Sequence, residues 1–308
     1  GKSKHAEGVI RAVSTLNEIE VVTGIVPNFD CSKKPYSRRY FKFKTLKYLL
    51  ENFNDDEKIL LIRKNWWTLF FLVLFSSRQK KCTVILEVNG FTFERFIRTE
   101  VHKFLYKYWL TLHSPLRRLV DRYYVVNNAL AKDVITFDSV DKVFVGYNGA
   151  PMRYDPVSRS KSRKVDFVFL GNLRAYNDWT LVDNYFANKP ELSLHIIGFG
   201  ESAKKIKQMC SNQNIIFHGY LERQDYKVLL STLDNPCGLI PVKQHFGEKY
   251  LSPIKLGEYI SLGMPVIISS NVDSIANAIH LDNVVTYHPG SISSFGEAIL
   301  KIKGLGVN

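Results

Sequence analysis

Cysteine is scarce in this chain, with four in 308 residues: Cys31, Cys82, Cys210 and Cys237. No two of them stand at the close spacing of a zinc pair, so a structural zinc site is not expected, and a reduced, cytoplasmic protein fits best. No carboxylate cluster suited to Mg²⁺ stands out, and no metal is expected. A secretory leader is not visible at the start. The most apolar run, Trp66 to Phe75, falls well short of the roughly 20 residues that a membrane-crossing helix needs. Acidic residues are also in short supply, 29 against 42 basic ones, for a net charge of +13.

What is present is the make-up of a globular protein, with 45% hydrophobic residues. The length allows two ordinary domains. The positive charge is concentrated in residues 1–150, with 25 basic residues against 15 acidic, while the remainder holds 17 against 14. An acidic partner, either an anionic membrane surface or a nucleic acid, would meet mainly the N-terminal half.

That half alternates helical and extended patterns. Gly8 to Asn17 reads as a helix and Glu20 to Gly24 as a strand. Further strands are expected at Ile59–Ile62, Thr83–Val88, Tyr123–Val126 and Lys142–Val145. Opening an α/β domain on a helix is unusual, which leaves room for a first strand ahead of it. In open α/β sheets ligands gather at the carboxyl ends of the strands. Arg63, Lys64 and Asn65 follow one apolar run and Asn89-Gly90 another, so Arg63, Asn65, Asn89 and Gly90 are the candidates for an acceptor side. Asn-Gly is equally a common turn. Trp66–Phe75 suits a buried core helix. Between residues 101 and 124, His102, Lys103, Lys107, Arg117, Arg118 and Arg122 alternate with Phe104, Tyr106, Tyr108 and Trp109. Basic residues beside amphipathic aromatics suit docking on an anionic membrane surface. A helix with one core face and one solvated basic face would show the same pattern.

Residues 151–164 read as a linker after the turn-rich Gly146-Tyr147-Asn148-Gly149. Residues 165–308 then follow a βαβα order. Strands are expected at Val165–Leu170, Leu192–Ile197, Ile215–Tyr220 and Cys237–Val242, the first two closing on glycine turns at Gly171 and Gly198. Helices are expected at Ser202–Cys210 and Asp225–Leu233. His195 and His218 fall inside apolar strands and read as structural.

The most informative segment is Ser252-Pro253-Ile254-Lys255-Leu256-Gly257-Glu258-Tyr259, which runs on to Gly263-Met264-Pro265-Val266-Ile267. Ser252 is read as an N-cap, with Pro253 at the first helical position. Gly263 ends the helix, and a short β-branched strand follows. The helix start, at the edge of a sheet, offers N–H groups and a positive dipole end to a phosphate. Lys255 adds a full charge in the first turn, and Glu258 lies on the same face three residues later. A cation and a carboxylate side by side suit a ligand with both phosphates and vicinal hydroxyls, such as a nucleotide diphosphate sugar.

This string resembles the donor motif S-P-x-K-x-x-E-Y-x-x-x-G-x-P-V-I of bacterial GT-B glycosyltransferases near glycosyltransferase family 4. The likeness extends over the strand order of about residues 165–270, with a looser match before it. Val143–Ala150 is similar to the hinge that ends the N-terminal domain in that family. The resemblance implies an α/β fold of two Rossmann-like domains facing a central cleft, with acceptor binding in residues 1–150 and donor binding in residues 165–308. It implies retaining, metal-independent transfer of a sugar to a glycan or polyprenyl-linked acceptor in surface polysaccharide synthesis. The nucleotide sugar is a substrate, and no cofactor is expected. By the same resemblance Lys255 and Glu258 carry the chemistry, and Arg174 can reach the phosphates in place of the arginine that is usual at position 172. Gly171, Asn172, Ser252, Pro253 and Ile254 line the diphosphate, and Tyr220 and Leu221 meet the base. The chain departs from the family in three places. Asn172 stands where an arginine is usual, Asn177-Asp178 stand near a usual lysine, and Tyr250 replaces an earlier glutamate. Two other readings follow from the same residues. One is a glycosyltransferase-like partner subunit without activity. The other is a basic nucleic-acid-binding protein, for which no stacking or groove-reading motif is present.

Overall fold

A computed structural model describes residues 58–63, 82–88, 120–135, 138–146, 148, 164–200, 202–244, 251–273 and 281–305. The chain divides into two compact units, one of Gly1–Val125 with Asp133–Phe144, the other of Val126–Lys132 with Val145–Asn308.

The first sheet holds β1 (Lys58–Arg63), β2 (Cys82–Val88), β3 (Arg122–Val125) and β4 (Val143–Val145), in that spatial order. The pairs β1–β2 and β2–β3 are parallel. Four of the five strands expected in this half are present within a residue or so at each end. Arg63 is the last residue of β1, opposite Glu87, rather than part of the loop beyond it. Helix α1 (Asn128–Ile135) follows β3, and its Leu130 N–H donates to Asn127 Oδ1 at 2.8 Å. The segments expected at residues 8–17, 20–24, 66–75 and 151–163 lie outside the described residues, as do Asn65, Asn89, Gly90 and residues 101–119 of the basic-aromatic stretch.

The second unit holds β5 (Asp166–Leu170), α2 (Trp179–Ala187), β6 (Ser193–Ile197), α3 (Ala203–Met209), β7 (Ile215–Gly219), α4 (Arg223–Thr232) and β8 (Cys237–Ile240). These are followed by α5 (Ile254–Ser261), β9 (Val266–Ser269), β10 (Val284–Tyr287) and α6 (Ile292–Leu305). Its six strands lie in the order β10-β9-β8-β5-β6-β7, and every neighbouring pair is parallel. The chain runs outward from β5 to β7 and then returns to the other side of β5. The order therefore reverses between β5 and β8, the point where such sheets bind ligands. Strand β5 is buried along its whole length, as its unbroken apolar run Phe167–Leu170 requires. Phe167 and Phe169 enter one core with Trp179, Phe186 and Phe295. Val168 and Leu170 enter the other, with Leu256, Tyr259 and Ile268. Cys210 and Cys237 are buried free thiols whose burial pushes their pKa up, Cys210 to about 12.

Strands β5 and β8 pair over only two positions, Phe167↔Cys237 and Val168↔Gly238. Beyond them the Tyr259 hydroxyl takes over, accepting from the Leu170 N–H at 2.7 Å and donating to the Val168 carbonyl at 3.1 Å. The ring lies against Gly238, where any Cβ would overlap it. A side chain of α5 thus supplies the hydrogen bonds that β8 no longer makes.

Tyr259→Phe removes both bonds and leaves the Leu170 N–H buried without a partner. The expected cost is about 1–3 kcal/mol of unfolding free energy. It would be read as a lower denaturant midpoint at unchanged slope, and an unchanged midpoint would show the hydroxyl to be dispensable.

Candidate functional site

The site sits at the carboxyl end of β5. Gly171 has φ +121°, a conformation that L side chains rarely adopt, and its N–H donates to the Ile197 carbonyl at 2.9 Å. The neighbouring turn brings Gly198 (φ +152°) so close that a Cβ there would overlap the Gly171 carbonyl. The Lys255 side chain packs on the same turn, with its Nζ 3.8 Å from where a Gly171 Cβ would stand. That ammonium also lies 3.8 Å from the centre of the buried Phe169 ring, a cation–π contact. The residue as a whole is half-buried, and the ammonium is its enclosed part. Burial brings its pKa down to about 7, while the Glu258 carboxylate opposes the fall.

The position of Lys255 follows from Tyr259 one helical turn later. With the hydroxyl locked into β5, the first turn of α5 is held over the end of that strand. Glu258, half-buried, shares this turn. The sequence reading of Ser252 as the N-cap does not hold. Pro253 is the N-cap, no side chain caps the helix, and Leu256 N–H bonds the Pro253 carbonyl at 3.0 Å. Ser252 is engaged by Asn148 instead. Its Oγ accepts from the Asn148 N–H at 3.2 Å, and its carbonyl accepts from Asn148 Nδ2 at 2.7 Å. At the other end the helix stops as expected. Gly263 (φ +71°) donates to Ile260 and Met264 donates to Tyr259, the paired bonds of a Schellman stop.

The loop after Gly171 is tied to β8. Asn177 is buried, its Oδ1 accepting from the Arg174 N–H at 3.4 Å and its Nδ2 donating to the Pro241 carbonyl at 3.1 Å. Asp178 caps α2 by accepting from the Leu181 N–H at 3.2 Å. These two residues, which stand near a usual family lysine, therefore brace the loop. Asn172 is exposed, and its Oδ1 lies over Gly200. Arg174 is half-buried in the same loop. Leu173 N–H donates to the Phe199 carbonyl at 2.9 Å, which joins this loop to the end of β6.

Gly171, Lys255 and Glu258 are thus brought together with Ser252, Pro253 and Ile254 at the start of α5, and Asn172 and Arg174 lie in the strand-end loop after Gly171. Tyr220 and Leu221 follow β7, two strands away. Tyr220 is exposed, and half-buried Leu221 packs on the second core. Arg63 belongs to the first unit. His195 and His218 bond to each other at 2.9 Å between Nδ1 and Nε2 across β6 and β7, a strand-to-strand contact. Three features escaped the sequence reading. Tyr259 is the lock, and its spacing of four from Lys255 was a usable signal. Lys243 lies three residues past β8, with its N–H on the Tyr176 carbonyl at 2.9 Å and its own carbonyl accepting from Asn271 at 2.9 Å. Phe199 is exposed beside Gly198. Among the described residues no group of three or more His, Cys, Asp or Glu could hold a metal ion, and no helix is long and apolar enough to cross a membrane.

Residues 164–303 match the family model of glycosyl transferases group 1. A lipopolysaccharide outer core galactosyltransferase, WaaB, superposes with a TM-score of 0.61 at 16% identity, over 87% of this chain and 71% of its own. The fold is GT-B. Other GT-B structures superpose equally well. TarM gives 0.62 at 16% identity over 86% of this chain, which spans about half (52%) of TarM. Anabaena HepE, solved in complex with UDP and glucose, gives 0.59 at 12% identity over 86% of this chain and 75% of its own. No curated protein matches the chain by sequence.

Gly171→Ala should strain the turn, since an L residue at this φ costs about 1–3 kcal/mol. The expected result is a lower melting temperature, and a variant as stable as the parent would show that the turn can relax.

Proposed function

We propose that the chain is a glycosyltransferase that moves a sugar from a nucleotide diphosphate sugar to a glycan or lipid-linked acceptor. One observation carries this reading. At the point where the strand order reverses, an enclosed ammonium (Lys255) rests on a glycine turn, beside a helix start that no side chain caps and one turn from a carboxylate. Lys255 and the first N–H groups of α5 would bind the donor diphosphate and neutralise it as it leaves. Glu258 would accept hydrogen bonds from ribose hydroxyls, and Arg174 would add charge from the loop after Gly171. These groups can carry the diphosphate charge without a metal, so chelators should leave turnover unchanged. Retention of anomeric configuration and a role in surface polysaccharide synthesis rest on the resemblance of the donor motif. The acceptor side is assigned to the first unit, with Arg63, Asn65, Asn89 and Gly90, and membrane association to residues 101–124.

A second reading, a partner subunit without activity, is favoured by the bracing roles of Asn177 and Asp178, which leave the usual cation position of the loop without one. Release of free sugar from a nucleotide sugar would separate the two, since only an active enzyme hydrolyses its donor slowly in the absence of acceptor.

Thermal shift with a panel of nucleoside diphosphates and nucleotide sugars tests the site directly. A bound ligand at 100 times its Kd should add about 2.7 kcal/mol of stability. Lys255→Met and Glu258→Ala should each weaken binding roughly tenfold to a hundredfold, the worth of one hydrogen bond to a charged group. A folded protein stabilised by none of the panel would sink the proposal.

The low pKa of Lys255 adds a pH signature. Below about 7 the lysine is charged with or without donor. Above that, the free protein holds it neutral while a bound diphosphate favours the charged form, so binding must take up a proton. Affinity for a nucleotide sugar, whose phosphates stay ionised throughout, should fall by up to about tenfold per pH unit above 7. Lys255→Met should abolish the slope, and a wild-type profile that is flat from pH 6 to 9 would contradict this role.

A further inference from the structure

Strands β6 and β7 pair in regular steps from Leu194↔Ile215 to Ile196↔Phe217, and then the register shifts, so that Ile197 stands opposite Gly219. His218 is the extra residue. Such a bulge is rare between parallel strands, and it leaves one residue out of the ladder. Here the side chain of that residue is tied down. His218 Nε2 and His195 Nδ1 lie 2.9 Å apart, and the two rings are nearly parallel, with planes at 11° and centroids at 5.2 Å. His195 is buried on β6, opposite Ile216. The shift has a second consequence. The Gly219 carbonyl accepts from the Gly198 N–H at 2.7 Å, which joins the turns that follow the two strands. In a regular register His218 would stand opposite Ile197, and Gly219 would lie one residue, about 3.3 Å, beyond its present place.

A hydrogen bond between two imidazoles sets a limit on charge. One facing nitrogen donates and the other accepts, so at least one ring is neutral. One extra proton, on an outer nitrogen, leaves the bond intact. A second puts N–H groups on both facing nitrogens and sets two like charges against each other. The surroundings act in the same sense, since burial holds both rings below the ordinary value of 6.5. Two charged groups act on His195 besides its partner. Asp166 on β5 favours its charged form, and Lys164 opposes it. Asp166 is itself engaged by the Ser193 hydroxyl, the Asp234 N–H and the Lys164 ammonium. Helix α4, which packs on this face through Tyr226, Leu229 and Leu230, brings Arg223, Asp225 and Lys227. In the unfolded chain both histidines titrate near about 6.5. Below that pH the unfolded chain binds more protons, so the contribution of the pair to stability is present above about 6.5 and is lost as pH falls.

We propose that the His195–His218 pair is an acid-sensitive clasp that holds β7 in its bulged register. With no more than one proton added, the pair pins the extra residue. With two, the rings part, and β7 is free to take the regular register that moves the Gly219 carbonyl away from Gly198. A slip of one residue turns the side chains beyond it to the other face, so the two registers are distinct states and not points on a continuum. The released turn carries Tyr220 and Leu221. The clasp would give the candidate site an acid limit separate from the titration of Lys255. That consequence rests on the donor-site reading above, whereas the clasp itself does not.

The test is nitrogen NMR on the full chain, labelled at histidine and glycine, read beside amide hydrogen exchange. At about pH 7.5 a coupling through the hydrogen bond should join His195 Nδ1 to His218 Nε2, and it should be lost between about pH 6.5 and about pH 5. Over the same range the protection of the Gly198 amide should fall roughly tenfold after correction for the intrinsic rate, the worth of one hydrogen bond. Amides of α2 and α6 should keep theirs. In urea, the wild-type midpoint should fall more between about pH 7 and about pH 5 than that of His218→Leu, which has no pair to charge. A coupling that survives at about pH 5 in the folded protein would overturn the clasp, as would a pair that takes up two protons near about 6.5 like free imidazole. Wild-type and His218→Leu midpoints that fall in parallel would overturn it too. So would a joint loss of protection at Gly198, α2 and α6, which marks general unfolding. Should His218→Leu not fold, the coupling and the Gly198 amide of the wild type still decide.

Discussion

The second unit depends on a hydroxyl group placed where two strands part. Parallel strands that separate at a topological switch leave backbone donors and acceptors without partners, and buried groups of that kind are costly. Here the Val168 carbonyl and the Leu170 N–H face the gap, and one phenol satisfies both. The crevice can therefore open without a penalty in lost hydrogen bonds. The same phenol orients the helix that carries it, and Lys255 and Glu258 inherit their places. Stability and site geometry share a single contact.

A lysine in a partly apolar enclosure is a poor stabiliser of the free protein, because burial works against its charge. Placed on the face of Phe169 and on a glycine turn, it gains little until an anion arrives. That is the arrangement expected of a group whose interaction energy is kept for a ligand. The backbone around it is fixed in advance by the Gly171–Ile197 bond and by the buried Asn177. Reorganisation on binding would then fall mainly on a proton and on solvent.

Local rules carried much of the way. The βαβα order, the Gly263 stop and the proximity of Lys255 and Glu258 were all legible, because each depends on spacing within a few residues. The errors came from contacts that span long stretches of chain. Ser252 has the chemistry of an N-cap, but Asn148, more than a hundred positions earlier, occupies its hydroxyl and carbonyl. Asn177 sits in a polar loop by sequence, yet the Pro241 carbonyl, 64 positions later, claims its side chain. Arg63 looked like a loop residue because the apolar run stops before it, whereas the pairing with β2 extends one position further. Strand β10 and helix α6 were not foreseen. The four residues of β10 offer too short a pattern, and its burial becomes apparent only against β9.

The contact between Gly238 and Tyr259 also limits how sequences of this kind can diverge. A side chain at 238 collides with the ring, while a small residue at 259 leaves a hole beside a bare glycine. Either change alone passes through a damaged intermediate, so the two positions are bound to change together or not at all. Seen across descendants, they would behave as one inherited character written at two places in the chain.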